Sequence, residues 1–220
     1  MSLILGIYGA GGIGREVLEL ARNIESVTHR WNKILFIDDG DIPPVVNTVE
    51  VIKVNDLFSS YSSNIEVAIA VGEPSTREKL WYKLREHNVP TATLVHPSVH
   101  VPESSILGQG VIIQVGSFIS CNLRIGDNIY IQPYSNVGHD CVIGENTVIS
   151  TGACLAGGLR IGRNVYIGMG AVLKEFISIG NDSIVGMASA VYKDIDENTV
   201  VMGNPARAVH RNDNKRVFGG

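Results

Sequence analysis

Every sixth residue from Leu107 to Val191 is aliphatic: Leu107, Ile113, Ile119, Ile125, Ile131, Val137, Ile143, Ile149, Leu155, Ile161, Ile167, Leu173, Ile179, Val185 and Val191. The register holds over all fifteen positions without a slip. Roughly a third of positions in an ordinary domain are Leu, Ile, Val, Ala or Met, so chance does not produce such a run. Six residues make one short strand and one turn, and three such units close a triangular coil. Coils stack by parallel strand pairing, with one aliphatic side chain per unit pointing into the prism. Glycine follows many of these positions, at Gly108, Gly126, Gly138, Gly144, Gly162, Gly168, Gly180 and Gly186. Small or apolar residues sit four places on, as at Ser117, Ser135, Thr147, Ala153, Ala171 and Ser189. Such residues let the chain round a corner without a Cβ clash. Fifteen units give five coils of a parallel β-helix. A β-sandwich is excluded, because its strands do not keep one period over so many units.

Upstream the period changes. Leu3 to Tyr8 reads as a buried strand, followed by Gly9-Ala10-Gly11-Gly12-Ile13-Gly14. Ile13, Val17, Leu20, Ala21 and Ile24 then share one helical face. Ile34 to Ile37 is a second strand ending at Asp38-Asp39, and Val67 to Val71 a third ending at Gly72. Ser75 and Glu78 have capping-box spacing for a helix carrying Leu80, Trp81 and Leu84. Strands alternating with helices predict a small parallel α/β domain, a half-Rossmann βαβαβ unit. We place it at 1–97 and the β-helix with its C-terminal tail at 98–220.

Gly9, Gly11 and Gly14 form G-x-G-x-x-G between strand and helix, with acidic residues at the end of the next strand. Bare backbone lets a phosphate approach, and the helix N-terminus supplies N–H donors. One mononucleotide half suits a nucleoside diphosphate better than a whole dinucleotide. The bland alternative is that these glycines serve strand–helix packing alone.

The net charge of -4 gives no bulk attraction to nucleic acid or an anionic membrane. No apolar run is long enough to span a bilayer, and no basic leader precedes the first strand. Cys121, Cys141 and Cys154 lack metal-site spacing, so no metal is expected, and their odd number suits a reducing cytoplasm.

His139 follows the pair Val137-Gly138, which puts it at a turn and facing outward. Histidine has the basicity to take a proton near neutral pH, and the adjacent Asp140 can orient its ring. Taken alone, a His-Asp dipeptide at a turn is more often ordinary surface.

The stretch Asn136-Val137-Gly138-His139-Asp140-Cys141-Val142-Ile143-Gly144 resembles the left-handed β-helix sugar O-/N-acetyltransferases. Within them it is similar to the nucleotide-linked 4-amino-sugar N-acetyltransferases of the viosamine, perosamine and bacillosamine-pathway type. Gly9 to Gly14, Asp38-Asp39, Ala70-Val71-Gly72, His96-Pro97 and Gly203-Asn204-Pro205-Ala206-Arg207 extend the match along the chain. The resemblance implies left-handed coils and a homotrimer. It implies acetyl-CoA as co-substrate, with no tightly bound cofactor, and a nucleotide-linked amino sugar as acceptor. It assigns His139 as general base and Asp140 as its partner. Gly11, Gly12, Ile13, Asp38, Asp39, Gly72 and Arg77 fall to the nucleotide sugar, and Gly157, Met169 and Met187 to acetyl-CoA. Some members carry a second histidine nine residues after the base, where this chain has Val148. A sialic acid O-acetyltransferase is the alternative within the fold. A non-enzymatic nucleotide-binding scaffold is the alternative outside it.

Overall fold

The computed structural model describes residues 3–61 and 64–218. Its N-terminal part contains strands β1 (Ile4–Tyr8), β2 (Lys33–Ile37), β3 (Val45–Val46), β4 (Val49–Ile52) and β5 (Ile65–Ile69). Helix α1 (Gly12–Thr28) joins β1 to β2, α2 (Val54–Ser60) joins β4 to β5, and α3 (Pro74–Glu86) follows β5. The sheet order is β3-β4-β2-β1-β5, parallel except for the β3–β4 hairpin. That hairpin and α2 carry no strong periodicity and were not expected. Val17, Leu20, Ala21 and Ile24 of α1 are buried as their spacing predicts. The capping box at Ser75 is absent, because Pro74 already occupies the first turn and Glu73 is the N-cap residue.

Each of the fifteen aliphatic positions ends a two-residue strand, from Ile106–Leu107 to Ala190–Val191. Each strand pairs in parallel with the one eighteen residues away, which is three units, so the prism has five coils and three sheets. Leu107 is half-buried, and the other fourteen aliphatics form the inner column with exposures of 4% or less. The prism begins ahead of residue 98, because β6 (Leu94–Val95) already pairs with Ile112–Ile113. Thr91 still bridges to Val67, so the domains meet between 91 and 94. Strands β22 (Thr199–Met202) and β23 (Arg207–Arg211) cap the far end as an antiparallel pair.

The corners show why the repeat is legible. The third residue after each aliphatic from Leu107 to Val185 adopts positive φ, at every sixth position from Gly110 (66°) to Ala188 (54°). Gly, Asn or Asp occupies most of these sites, the residues that tolerate the left-handed region. The glycines directly after the aliphatics serve a different purpose. A Cβ on Gly144 would stand 2.5 Å from the backbone of Gly162, so these glycines permit coil-on-coil contact.

The α/β domain covers one prism face. Ile112, Tyr130 and Val148 are fully buried in a core shared with Leu5, Val17 and Leu18. Val148 thus belongs to the domain junction, and an apolar side chain there is demanded by packing. Among the described residues, no helix is long and apolar enough to cross a membrane.

Candidate active site

His139 stands at the corner between the strands ending at Val137 and Ile143. Asp140 takes the left-handed position, φ 60°, which turns its carboxylate back toward the imidazole. His139 Nδ1–H donates to Asp140 Oδ2 at 2.7 Å, and Asn122 Nδ2 donates to Asp140 Oδ1 at 3.1 Å. The His139 bond, then the Asn122 bond, hold the Asp140 carboxyl below the usual carboxylate range. With Nδ1 occupied, Nε2 is left as the accepting nitrogen. The ring leans over Gly157, one coil further on. A Cβ at 157 would lie 2.6 Å from both His139 Nε2 and Cε1, so only glycine leaves the ring its place. Asn122 was missed by the sequence reading. It sits eighteen residues before Asp140, at the same corner, and reading the repeat in steps of three units finds it.

Cys141 points inward and is fully buried, and burial pushes its thiol pKa up. Cys141 therefore presents no thiolate to His139. The exposed cysteine at this corner is Cys121, stacked one coil before His139 with its carbonyl accepting from Asp140 N–H at 3.1 Å.

At the α/β domain the glycines divide by task. A Cβ on Gly14 would lie 1.9 Å from the Gly9 carbonyl oxygen, and Gly9 has φ 112°; both serve chain geometry. Gly11 and Gly12 are exposed, and a Cβ on either would touch nothing within 4 Å. The space before them is open. Gly11 is the N-cap of α1, with no side-chain cap and no acidic residue in the first turn. The first-turn N–H groups are thus free to meet an anion. Ile13 and Gly72 adjoin, since a Cβ on Gly72 would come 2.7 Å from Ile13 Cδ1.

Asp38 and Asp39 flank this turn but already have partners. Asp38 accepts from the N–H groups of Ala10 and Gly40, both at 2.8 Å, which fixes the turn. Asp39 accepts from Val54 N–H at 3.0 Å and Tyr8 hydroxyl at 3.1 Å, with Lys83 Nζ at 3.5 Å. Burial opposes ionisation of Asp39, yet those partners together hold its carboxyl below the ordinary range. Tyr8 and Lys83 had no sequence signal.

Arg77 is corrected. It is completely buried, and its guanidinium donates to Asn128 O at 3.0 and 2.8 Å, Asn128 Oδ1 at 2.8 Å, Ile69 O at 2.6 Å and Val71 O at 3.1 Å. With those donors spent inside the protein, it cannot grip a ligand. It heads a buried ladder in which Asn128, Asn146, Asn164 and Asp182 are linked at 2.8, 3.0 and 3.1 Å.

The acetyl-CoA candidates also separate. Gly157 shares the His139 corner. Exposed Met169 and Met187 stack on a different corner, between the covered face and the sheet that contains Asn136–Val137. The His139 corner lies opposite the covered face, so within one chain the base and the Gly-rich turn are on opposite sides of the prism. Among the described residues no cluster could hold a metal ion.

The PglD N-terminal domain family matches residues 4–84, and the bacterial transferase hexapeptide family (six repeats) matches 122–157. With the observed prism, these define a hexapeptide-repeat transferase carrying an N-terminal α/β domain. WeeI from Acinetobacter baumannii AYE is 32% identical, covering 94% of this chain and 100% of that one, at a TM-score of 0.88. PerB from Caulobacter crescentus, solved with CoA and GDP-perosamine, is 29% identical over 94% and 97%, with a TM-score of 0.86. The same enzyme is known with one histidine replaced by asparagine or by alanine. GDP-perosamine N-acetyltransferase of Escherichia coli O157:H7 is 32% identical over 133 residues, which spans 60% of either chain. The chain belongs to the PglD-type hexapeptide-repeat N-acetyltransferases.

Proposed function

We propose that this chain transfers the acetyl group of acetyl-CoA to the 4-amino nitrogen of a nucleotide-linked 4-amino-4,6-dideoxy sugar. The observation that carries the reading is the imidazole poised over Gly157, with Nδ1 held by Asp140 and Nε2 open. A neutral amine attacks the thioester carbonyl, and Nε2 of His139 takes the proton released as the C–N bond forms. The tetrahedral oxyanion collapses, expelling the CoA thiolate, which takes up a proton. The Gly157 N–H has no acceptor among the described residues, and it is our candidate oxyanion donor. One such donor is worth about 3 kcal/mol of transition-state stabilisation. Transfer is direct from thioester to amine, and buried Cys141 is no nucleophile for it.

The nucleoside diphosphate sits on the exposed Gly11–Gly12 turn, with its phosphates at the free first-turn N–H groups of α1. Lys193 stands three coils beyond His139 on the same corner, roughly 14 Å away at about 4.8 Å per rung. It borders a cavity of about 530 Å³ with Tyr192 and Arg207. Pantetheine spans such a gap, so the phosphates of CoA fall beside two cations.

Because the base and the Gly-rich turn lie on opposite sides of one prism, the site is completed by a second copy. A homotrimer joins the His139 corner of one subunit to the Met169–Met187 corner and α/β domain of its neighbour. Gly12→Glu places a carboxylate in the phosphate space and suits the positive end of α1, so it abolishes turnover without unfolding. His139→Ala lowers it about 10²–10⁴-fold. Co-refolded mixtures of the two variants regain activity, because some interfaces receive both intact halves. Mixtures as inactive as either parent would place the whole site in one chain.

Gly157→Ala pushes the imidazole aside, lowering kcat about 10- to 100-fold with the melting temperature unchanged. Wild-type turnover in that variant would remove the ring position from the mechanism. The function itself is tested by thiol release from acetyl-CoA with 4-amino-4,6-dideoxy sugars linked to UDP, TDP or GDP. Release is expected with one of them, and none with all three would overturn the reading.

A further inference from the structure

The C-terminal segment returns from the end of the prism to the α/β domain and is fastened along the way. Asn212 Nδ2 donates to the Asp182 carbonyl at 2.8 Å, and Lys215 Nζ to Asp182 Oδ2 at 3.2 Å. The N–H groups of Val217 and Phe218 then donate to the carboxylate of Glu73, at 3.0 and 3.1 Å. Glu73 is only 8% exposed and directly follows Gly72. A buried carboxylate spent on the backbone of a tail fixes that tail at one place, the end of β5. There the Phe218 ring meets Tyr166 of the prism edge-on, with centroids 5.5 Å apart. Phe218 Cε2 lies 3.7 Å from where a Gly72 Cβ would be, yet the side chain remains about half exposed.

The sheet order says what faces that ring. β1 lies between β2 and β5. Ligands of open parallel sheets lie across the carboxyl ends of the strands. A ligand with its diphosphate on the turn after β1 and its nucleoside toward Asp38–Asp39 after β2 sends its remaining group over the end of β5. That group meets Gly72 and Phe218. Resting on the proposed function, we infer that Phe218 is a substrate-binding residue whose exposed face packs against the sugar and not the nucleotide. A 6-deoxy sugar offers a methyl group and axial C–H bonds suited to an aromatic face.

The test compares Phe218→Ala and Phe218→Tyr with wild type. The probes are GDP, UDP and TDP alone, each by calorimetric titration, and their 4-amino-4,6-dideoxy sugar conjugates by steady-state kinetics. Phe218→Ala raises KM for the productive conjugate about tenfold. It leaves the affinity for the matching free nucleoside diphosphate, the KM for acetyl-CoA and the melting temperature unchanged. Phe218→Tyr keeps the wild-type KM. An unchanged KM in Phe218→Ala overturns the inference, as does an equal loss of affinity for the free nucleoside diphosphate. Wild-type protein that turns over no conjugate overturns the proposed function as well, and with it this reading of the ring.

Discussion

Replacing His139 by alanine lowers kcat by about 10²–10⁴-fold and leaves the melting temperature unchanged. Val137 fills the inward position of this unit, and the His139 side chain is 56% exposed, so its loss opens no cavity. The amine must lose a proton as it attacks, and in the variant only water accepts it. The Asp140 carboxyl, held low by the His139 and Asn122 bonds, stays ionised beside the ring and orients it. Asp140→Asn costs less, about tenfold, because Asp140 positions the base without taking the proton itself. Steady-state kinetics, with melts alongside, read both losses. A His139→Ala protein that keeps near-wild-type kcat would remove this residue from the chemistry.

Arg77→Ala is the largest expected loss of stability, about 3–5 kcal/mol, a fall in melting temperature of roughly 10 °C. The substitution leaves the buried carbonyls of Ile69 and Asn128 and the part-buried carbonyl of Val71 without their donor, and it opens a cavity the size of the side chain. Burial pulls the Arg77 pKa down to about 9, which still leaves the group charged at neutral pH. Arg77→Lys rescues little, since one ammonium cannot reproduce a planar fork serving three residues. Well below the transition, the variant binds a nucleoside diphosphate within a few-fold of wild type. Thermal melts and calorimetric titration on one preparation decide the matter. A variant that melts like wild type but no longer binds the nucleotide would return Arg77 to the substrate site.

The prism was legible because its inner column, its close-approach glycines and its left-handed corners all repeat in step. Each unit states the same packing demand again. The βαβαβ frame was legible for a weaker reason: apolar strands and one amphipathic helix bracket a glycine turn. The junction was not. The resemblance puts Arg77 in the substrate site, and nothing in its neighbours says that the Asn128 to Asp182 ladder waits 51 residues away. Tyr8, Lys83 and Glu73 act through partners distant in sequence, and spacing within one element does not reveal such pairs. Val148 shows the converse. As a departure from a family pattern it reads as a lost contact, whereas the structure makes it part of the core between the domains. The separation of His139 from the Gly-rich turn needed the order of the three sheets, which follows from the repeat once the covered face is known.

Nuclear magnetic resonance of the product, made with acetyl-CoA and the productive nucleotide-linked 4-amino sugar, tests the central claim most directly. The account predicts one new acetyl group on nitrogen, its amide proton coupled to the proton on C4 of the sugar. An acetyl ester on a sugar hydroxyl, or an unmodified sugar with acetyl-CoA intact, would contradict it.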